Sequence, residues 1–136
     1  MLNFSRFQKL GLIVLVSVLM GIGAPQIAWG GFQEGLDAYN RKDYASALKE
    51  WKPLAEQGNA RGMNSLGVMY HYGLGVPRDY KLAMKWYRKS AEQGNASAMS
   101  GLGDMYYEGL GVRSNVKLAM RWYRRSVEHG DSDAKK

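Results

Sequence analysis

The chain of 136 residues contains no cysteine. Neither a disulfide framework nor a thiolate metal site is open to it, nor lipid attachment through an N-terminal cysteine. Histidine is nearly as scarce. His71 and His129 stand at unrelated places with no metal-ligand spacing around them, so no metal and no cofactor is expected. The two Gly-Leu-Gly-Val stretches, 73–76 and 109–112, lack the Lys-Ser/Thr that a phosphate cradle requires. Ser65, Ser100 and Ser126 have no His/Asp arrangement to activate them. Asp104 and Glu108 lie one helical turn apart, the pattern of a solvated face and not of an acid/base pair. No catalytic residue is assigned, and an enzyme is not expected.

Charge of one sign is in mild excess: 19 Lys+Arg against 12 Asp+Glu, or +7. Two of those cations, Arg6 and Lys9, precede the apolar run LGLIVLVSVLM (10–20). Pro25 breaks that run ahead of Ala28-Trp29-Gly30, with small residues at alternate positions. This is the layout of a secretory signal peptide over 1–30, with cleavage expected after Gly30. The run is short for a membrane span, which takes about 20 residues. Without the leader the charge falls to +5 (17 − 12), an ordinary basic balance. Export disfavours nucleic acid as a partner. It places the protein in the periplasm if the source is Gram-negative, and otherwise in the secreted fraction.

What the remainder has is repetition. AEQGNA at 55–60 returns at 91–96 and, as VEHGDS, at 127–132; the starts are 36 residues apart both times (91 − 55, 127 − 91). LGVMYHYGLGV (66–76) returns as LGDMYYEGLGV (102–112), and AMKWYRKSAEQG (83–94) as AMRWYRRSVEHG (119–130). A third, more divergent unit at 35–58 has a shorter connection between its halves. The units run 31–58, 59–94 and 95–130, with a short tail 131–136.

Each unit reads as two helices. Ala83, Trp86, Tyr87 and Ser90/Ala91 form one stripe of the second helix, and Met63, Leu66, Gly67 and Tyr70 one of the first. Asp43, Asp79 and Asn115 sit where an N-cap is needed. Gly73 and Gly109 suit a left-handed C-cap. The mid-helix glycines Gly67 and Gly103 cost about 1 kcal/mol each relative to alanine. Their recurrence predicts close approach by a neighbouring helix, with Trp86 and Trp122 lying over them. In AEQGNA the glycine stops one helix and Asn59 or Asn95 caps the next. The same reading of VEHGDS ends the last helix near residue 129.

These residues resemble the Sel1-like repeat, a relative of the tetratricopeptide repeat. The second unit carries its pattern as Ala60, Leu66-Gly67, Met69-Tyr70, Gly73, Gly75-Val76, Asp79, Ala83, Trp86-Tyr87, Ala91 and Gly94. The third repeats it from Ala96 to Gly130, departing at Asn115, Ser126 and Val127, while the second has Gly62 where an alanine is expected. The first unit is closer to an ordinary tetratricopeptide unit, with Ala47 and Trp51. The resemblance implies an all-α, right-handed α-solenoid of about six helices in three units. It also implies a protein- or peptide-binding scaffold or adaptor without catalytic residues.

In such an array first helices line the concave face and second helices the convex one. Subtracting the structural stripe leaves Asn64, Val68, His71 and Tyr72 on one first helix and Ser100, Asp104, Tyr107 and Glu108 on the next. With Glu34 and Asp37 they predict a mildly acidic groove with aromatic anchors for a peptide or helix. Lys85, Arg88, Lys89, Arg121, Arg124 and Arg125 predict a basic convex stripe. Its alternative use is attachment to an anionic cell-wall polymer or lipid in the envelope. Membrane contact would come only through a retained leader or this face. The last repeat, read as uncapped, also predicts self-association or partner docking.

Overall fold

The computed structural model describes residues 31–134, with side chains through residue 130. The leader-like segment 1–30, its cleavage site and residues 135–136 lie outside the described residues. Six helices and no strand occupy what is described. The chain is helical over 31–40 (α1). Next come α2 Tyr44–Glu56, α3 Ala60–Tyr72, α4 Tyr80–Glu92, α5 Ala96–Glu108 and α6 Val116–Ala134. Consecutive helices pack antiparallel in pairs, and α3 also touches α5 across the helix between them. The result is a right-handed α-solenoid.

The expected caps are in place. The side chains of Asp43, Asn59, Asp79, Asn95 and Asn115 accept from the backbone N–H three residues on, at 2.9–3.2 Å. Gly73 (φ 66°) and Gly109 (φ 73°) close α3 and α5 in the left-handed region. The loop after each is then pinned: Asp79 N–H donates to Tyr70 C=O at 2.9 Å and Asn115 N–H to Tyr106 C=O at 2.8 Å. The loops also join units. A Cβ on Gly75 would sit 3.0 Å from Tyr44 backbone, and one on Gly111 2.9 Å from Tyr80 backbone, so each loop seats on the first turn of the preceding second helix. The first unit manages without this loop. Lys42 itself adopts φ 62°, and Asp43 N–H donates back to Ala38 C=O at 2.9 Å.

Two cores fill the stack. The first joins α1, α2 and α3 through Ala38, Ala47, Trp51, Leu54, Leu66 and Met69. The second joins α4 and α5 through Ala83, Tyr87, Ala91, Ala98, Leu102 and Met105. The stripe residues and Val76 and Val112 are packed as expected, but the aromatic over each glycine is not tryptophan. Tyr87 Cδ1 lies 2.5 Å from where a Gly67 Cβ would stand, and Tyr123 Cε1 2.4 Å from that of Gly103. Trp51 does the same for Gly35. The tryptophans Trp86 and Trp122 are one position, about 100°, further round the helix. Trp86 wedges against the first core and Trp122 against the second.

The third seam also differs. Gly58 (φ 86°) and Gly94 (φ 90°) are left-handed stops, whereas Gly130 is not among the positive-φ glycines and α6 runs on to Ala134. A stop of this kind is held by the chain beyond it: Asn59 N–H bonds Leu54 C=O at 2.9 Å, Asn95 N–H bonds Ser90 C=O at 3.3 Å, and the next helix then packs. Without that return, glycine stays in the helix.

Candidate functional site

The first helices α3 and α5 bring most of the expected groove residues onto one face. Asn64, Val68 and His71 are spaced to share a side of α3. Their equivalents Ser100, Asp104 and Tyr107 do so on α5. Gly67 and Gly101 make the junction possible. The Tyr87 ring lies between them, with Cζ 2.9 Å from a Gly101 Cβ position, so the ring fills the space between α3 and α5. Its hydroxyl reaches His71 Nδ1 at 3.4 Å. The next unit repeats the plan with a different acceptor: Tyr123 Oη donates to Asp104 Oδ1 at 2.6 Å.

His71 is not presented to solvent as the sequence suggested. It is 9% exposed, stacked on Tyr72 at 4.3 Å between centroids and edge-on to Tyr80 and Tyr87. Burial holds its pKa below the ordinary value, against the pull of the Asp104 and Glu108 carboxylates. It is therefore the support on which Tyr72 rests. Burial also pushes the Tyr87 hydroxyl up, and burial with the Asp104 hydrogen bond pushes Tyr123 up to about 12, so both stay protonated donors.

What remains free on this face is aromatic and acidic. Tyr72 is 63% exposed and Tyr107 55%, with Glu108 exposed beside them and Asp104 half-buried. Asn64 is half-buried, its Oδ1 enclosed with no hydrogen-bond partner among the described residues. Val68 packs against the second core and Ser100 is half-buried. Glu34 and Asp37 do not join the groove. Matching Gly35 to Gly67 through their aromatic partners sets an offset of 32 (67 − 35). Glu34 and Asp37 then fall at the positions of Leu66 and Met69, which face the α2 core, while Leu36 and Tyr39 are the groove equivalents. The sequence missed Tyr39 because the shorter connection in the first unit hides its register. Burial, then Tyr44 and Tyr72, raise the Tyr39 hydroxyl, and its ring lies edge-on to Tyr44 at 5.5 Å between centroids.

The second helices carry the basic residues outward, and Lys85, Arg88, Lys89, Arg121, Arg124 and Arg125 are all exposed. Lys89 Nζ lies 5.2 Å from the Trp86 ring centroid and Arg125 Cζ 5.3 Å from that of Trp122, the same pair one repeat on. Among the described residues no three His, Asp or Glu side chains gather as metal ligands.

A stack of helix pairs sealed by recurrent glycine–tyrosine contacts and carrying variable residues on one face defines a repeat solenoid, a class that in general serves as a protein-interaction scaffold. The family model described as Sel1 repeat matches residues 60–95 and 96–131, more than half of the chain. The chain belongs to the Sel1 repeat family. Among solved structures it is similar to a Sel1 repeat protein from Oxalobacter formigenes, at 35% identity and TM-score 0.69, over 76% of this chain and 41% of that one. It is also similar to a protective antigen present in uropathogenic Escherichia coli strains displaying an SLR fold. There the identity is 36% and the TM-score 0.70, over 76% of this chain and 23% of that one. The chain thus spans well under half the length of either. No curated protein matches it.

Proposed function

We propose that the chain is an exported scaffold or adaptor that captures a segment of another protein on the face formed by α3 and α5. The observation that carries this reading is the pair of tyrosines, Tyr72 and Tyr107, left 63% and 55% exposed at equivalent ends of the two first helices. Exposed tyrosines set on rigid helices are good anchors, because little side-chain entropy is lost on contact. Tyr72 is held in place by its stack on His71. Asp104 and Glu108 add acceptors that a backbone N–H or cationic side chain could satisfy. The proposed compartment rests on the leader-like pattern of residues 1–30, and would be the periplasm in a Gram-negative source.

In-cell crosslinking with mass spectrometry tests the groove. The Tyr72→Ala/Tyr107→Ala double variant should keep its helical circular dichroism and lose the partner crosslinks of the wild type. Identical crosslinks from both proteins would end this placement of the site.

A further inference from the structure

The outer faces of α4 and α6 are left unused by a groove on α3 and α5. On α6, Val116, Met120 and Val127 are 53%, 56% and 63% exposed. At about 100° per residue these three fall in one narrow arc. Arg124, Lys117, Arg121 and Arg125 succeed one another around the helix, all exposed. The exposed half of α6 therefore has an apolar edge and a basic ridge side by side.

On α4, one repeat earlier, the corresponding apolar positions are covered by the second core. Met84 and Ala91, the equivalents of Met120 and Val127, are 8% and 4% exposed. Lys81, Lys85, Arg88 and Lys89 stay outside. The ridge thus continues over both helices, and of the two it is α6 that leaves its apolar edge open.

The cations are held by aromatic groups: Arg88 donates to Tyr106 Oη at 3.2 Å, and Lys89 and Arg125 lie over tryptophans. Among the described residues no carboxylate is within ion-pair distance of any of them. Two open grooves lie along the ridge. One of about 390 Å³ on α4 has Met84 on its wall, and one of about 310 Å³ on α6 has Leu118 and Trp122.

We infer that this face docks on a phospholipid bilayer surface rich in anionic headgroups. The ridge and its grooves take the headgroup phosphates, and Val116, Met120 and Val127 enter the boundary between headgroups and acyl chains. Basic residues beside exposed apolar ones, with tryptophan at the margin, are the chemistry of interfacial attachment. A soluble polyphosphate would satisfy the ridge and leave the apolar edge wet. Among the described residues no helix is long and apolar enough to cross a membrane, and contact through this face would stay at the bilayer surface.

Because residues 10–20 can bring the full chain to vesicles unaided, the readout must be local to α6. The chain has no native cysteine, so Met120→Cys carries one environment-sensitive fluorophore, and Tyr72→Cys serves as a control on the opposite face. The label at 120 should shift to the blue with phosphatidylglycerol vesicles and not with phosphatidylcholine vesicles, while the label at 72 stays unchanged. Adding Arg121→Glu/Arg124→Glu, or raising the salt, should weaken the response at least about tenfold. The inference fails if position 120 does not shift, shifts equally with phosphatidylcholine, or is matched by position 72. It also fails if the shift appears with soluble polyphosphate alone, or with rising protein concentration and no vesicles, which would make this face a polymer site or a self-association surface.

Discussion

Tyr87 is the side chain on which the most structure depends, and it is held by what two other positions lack. Gly67 and Gly101 admit its ring between α3 and α5, and the hydroxyl ends on His71, which in turn carries Tyr72. The need for a small residue at Gly67 was legible, because a mid-helix glycine repeated at 36 residues demands a packing cause. Which aromatic required it was not. Trp86 and Tyr87 are adjacent in sequence, and stripe reasoning is too coarse to separate neighbours on a helix edge. Gly67→Ala should gain about 1 kcal/mol of helix propensity and lose about 1–3 kcal/mol to overpacking, because the ring is wedged from both sides and cannot retreat. Urea denaturation should therefore show a net loss. Pairing the change with Tyr87→Ala should remove most of the penalty of the added methyl, with a coupling energy on the order of 1 kcal/mol in the double-mutant cycle. A raised melting temperature for Gly67→Ala alone would refute the wedge.

Elements are bounded by local chemistry that the sequence spells, but spelling and structure part at the third seam. The first two copies of AEQGNA become seams, and they are connected: Gln93 Nε2 of the second donates to Gly58 C=O of the first at 2.8 Å. Ser90 Oγ donates to Ala60 C=O at 2.6 Å and Ser126 Oγ to Ala96 C=O at 2.7 Å, fastening each second helix to the start of its own first helix. Gly62, the odd residue at an alanine position, is explained by closer approach. A Cβ there would meet Leu54 Cβ at 2.9 Å and Ala55 N at 3.0 Å. None of these contacts could be read from letters, because each depends on the angle at which one helix leaves another. VEHGDS has the letters of a seam and the backbone of a helix, since a left-handed glycine is imposed by the return of the chain and not by the glycine. The same substitution at two equivalent glycines should therefore have opposite effects. Gly94→Ala, at φ 90°, should cost about 1–2 kcal/mol. Gly130→Ala, whose Cβ would meet nothing nearer than Ala96 Cβ at 4.0 Å among the described residues, should be neutral or stabilising by up to about 1 kcal/mol. Equal destabilisation by the two in chemical denaturation would mean that Gly130 is a stop after all.

At the scale of the molecule, stability is shared between two cores that meet at α3 and α4. The first unit was the hardest to read, because Lys42 replaces the glycine loop and shifts the register by four residues (36 − 32), yet Trp51 over Gly35 makes it the same device as the others. The sequence therefore carried the architecture and the aromatic content of the first-helix face. It could not separate His71 as support from Tyr72 as contact, since burial is a property of the stack. That stack has a mechanical consequence. Tyr70 packs on both cores, Val68 of α3 reaches the second and Trp86 of α4 the first, while Tyr87 and Ser90 of α4 contact Gly67 and Ala60 of α3. In a quasi-one-dimensional array each unit is stabilised by its neighbours, so damage should fade with distance from the altered unit. Leu102 is fully buried in the second core and Leu66 nearly so in the first. Leu102→Ala should cost about 2–5 kcal/mol through the cavity left behind. Native-state hydrogen exchange should then show the amides of α5 and α6 accelerating most, those of α4 less, and those of α2 least. Leu66→Ala, at the joint itself, should accelerate exchange in α2 through α4 together. If Leu102→Ala instead raised exchange in α2 as much as in α5, the two cores would be opening as one, and stability would not be passed from neighbour to neighbour along the stack.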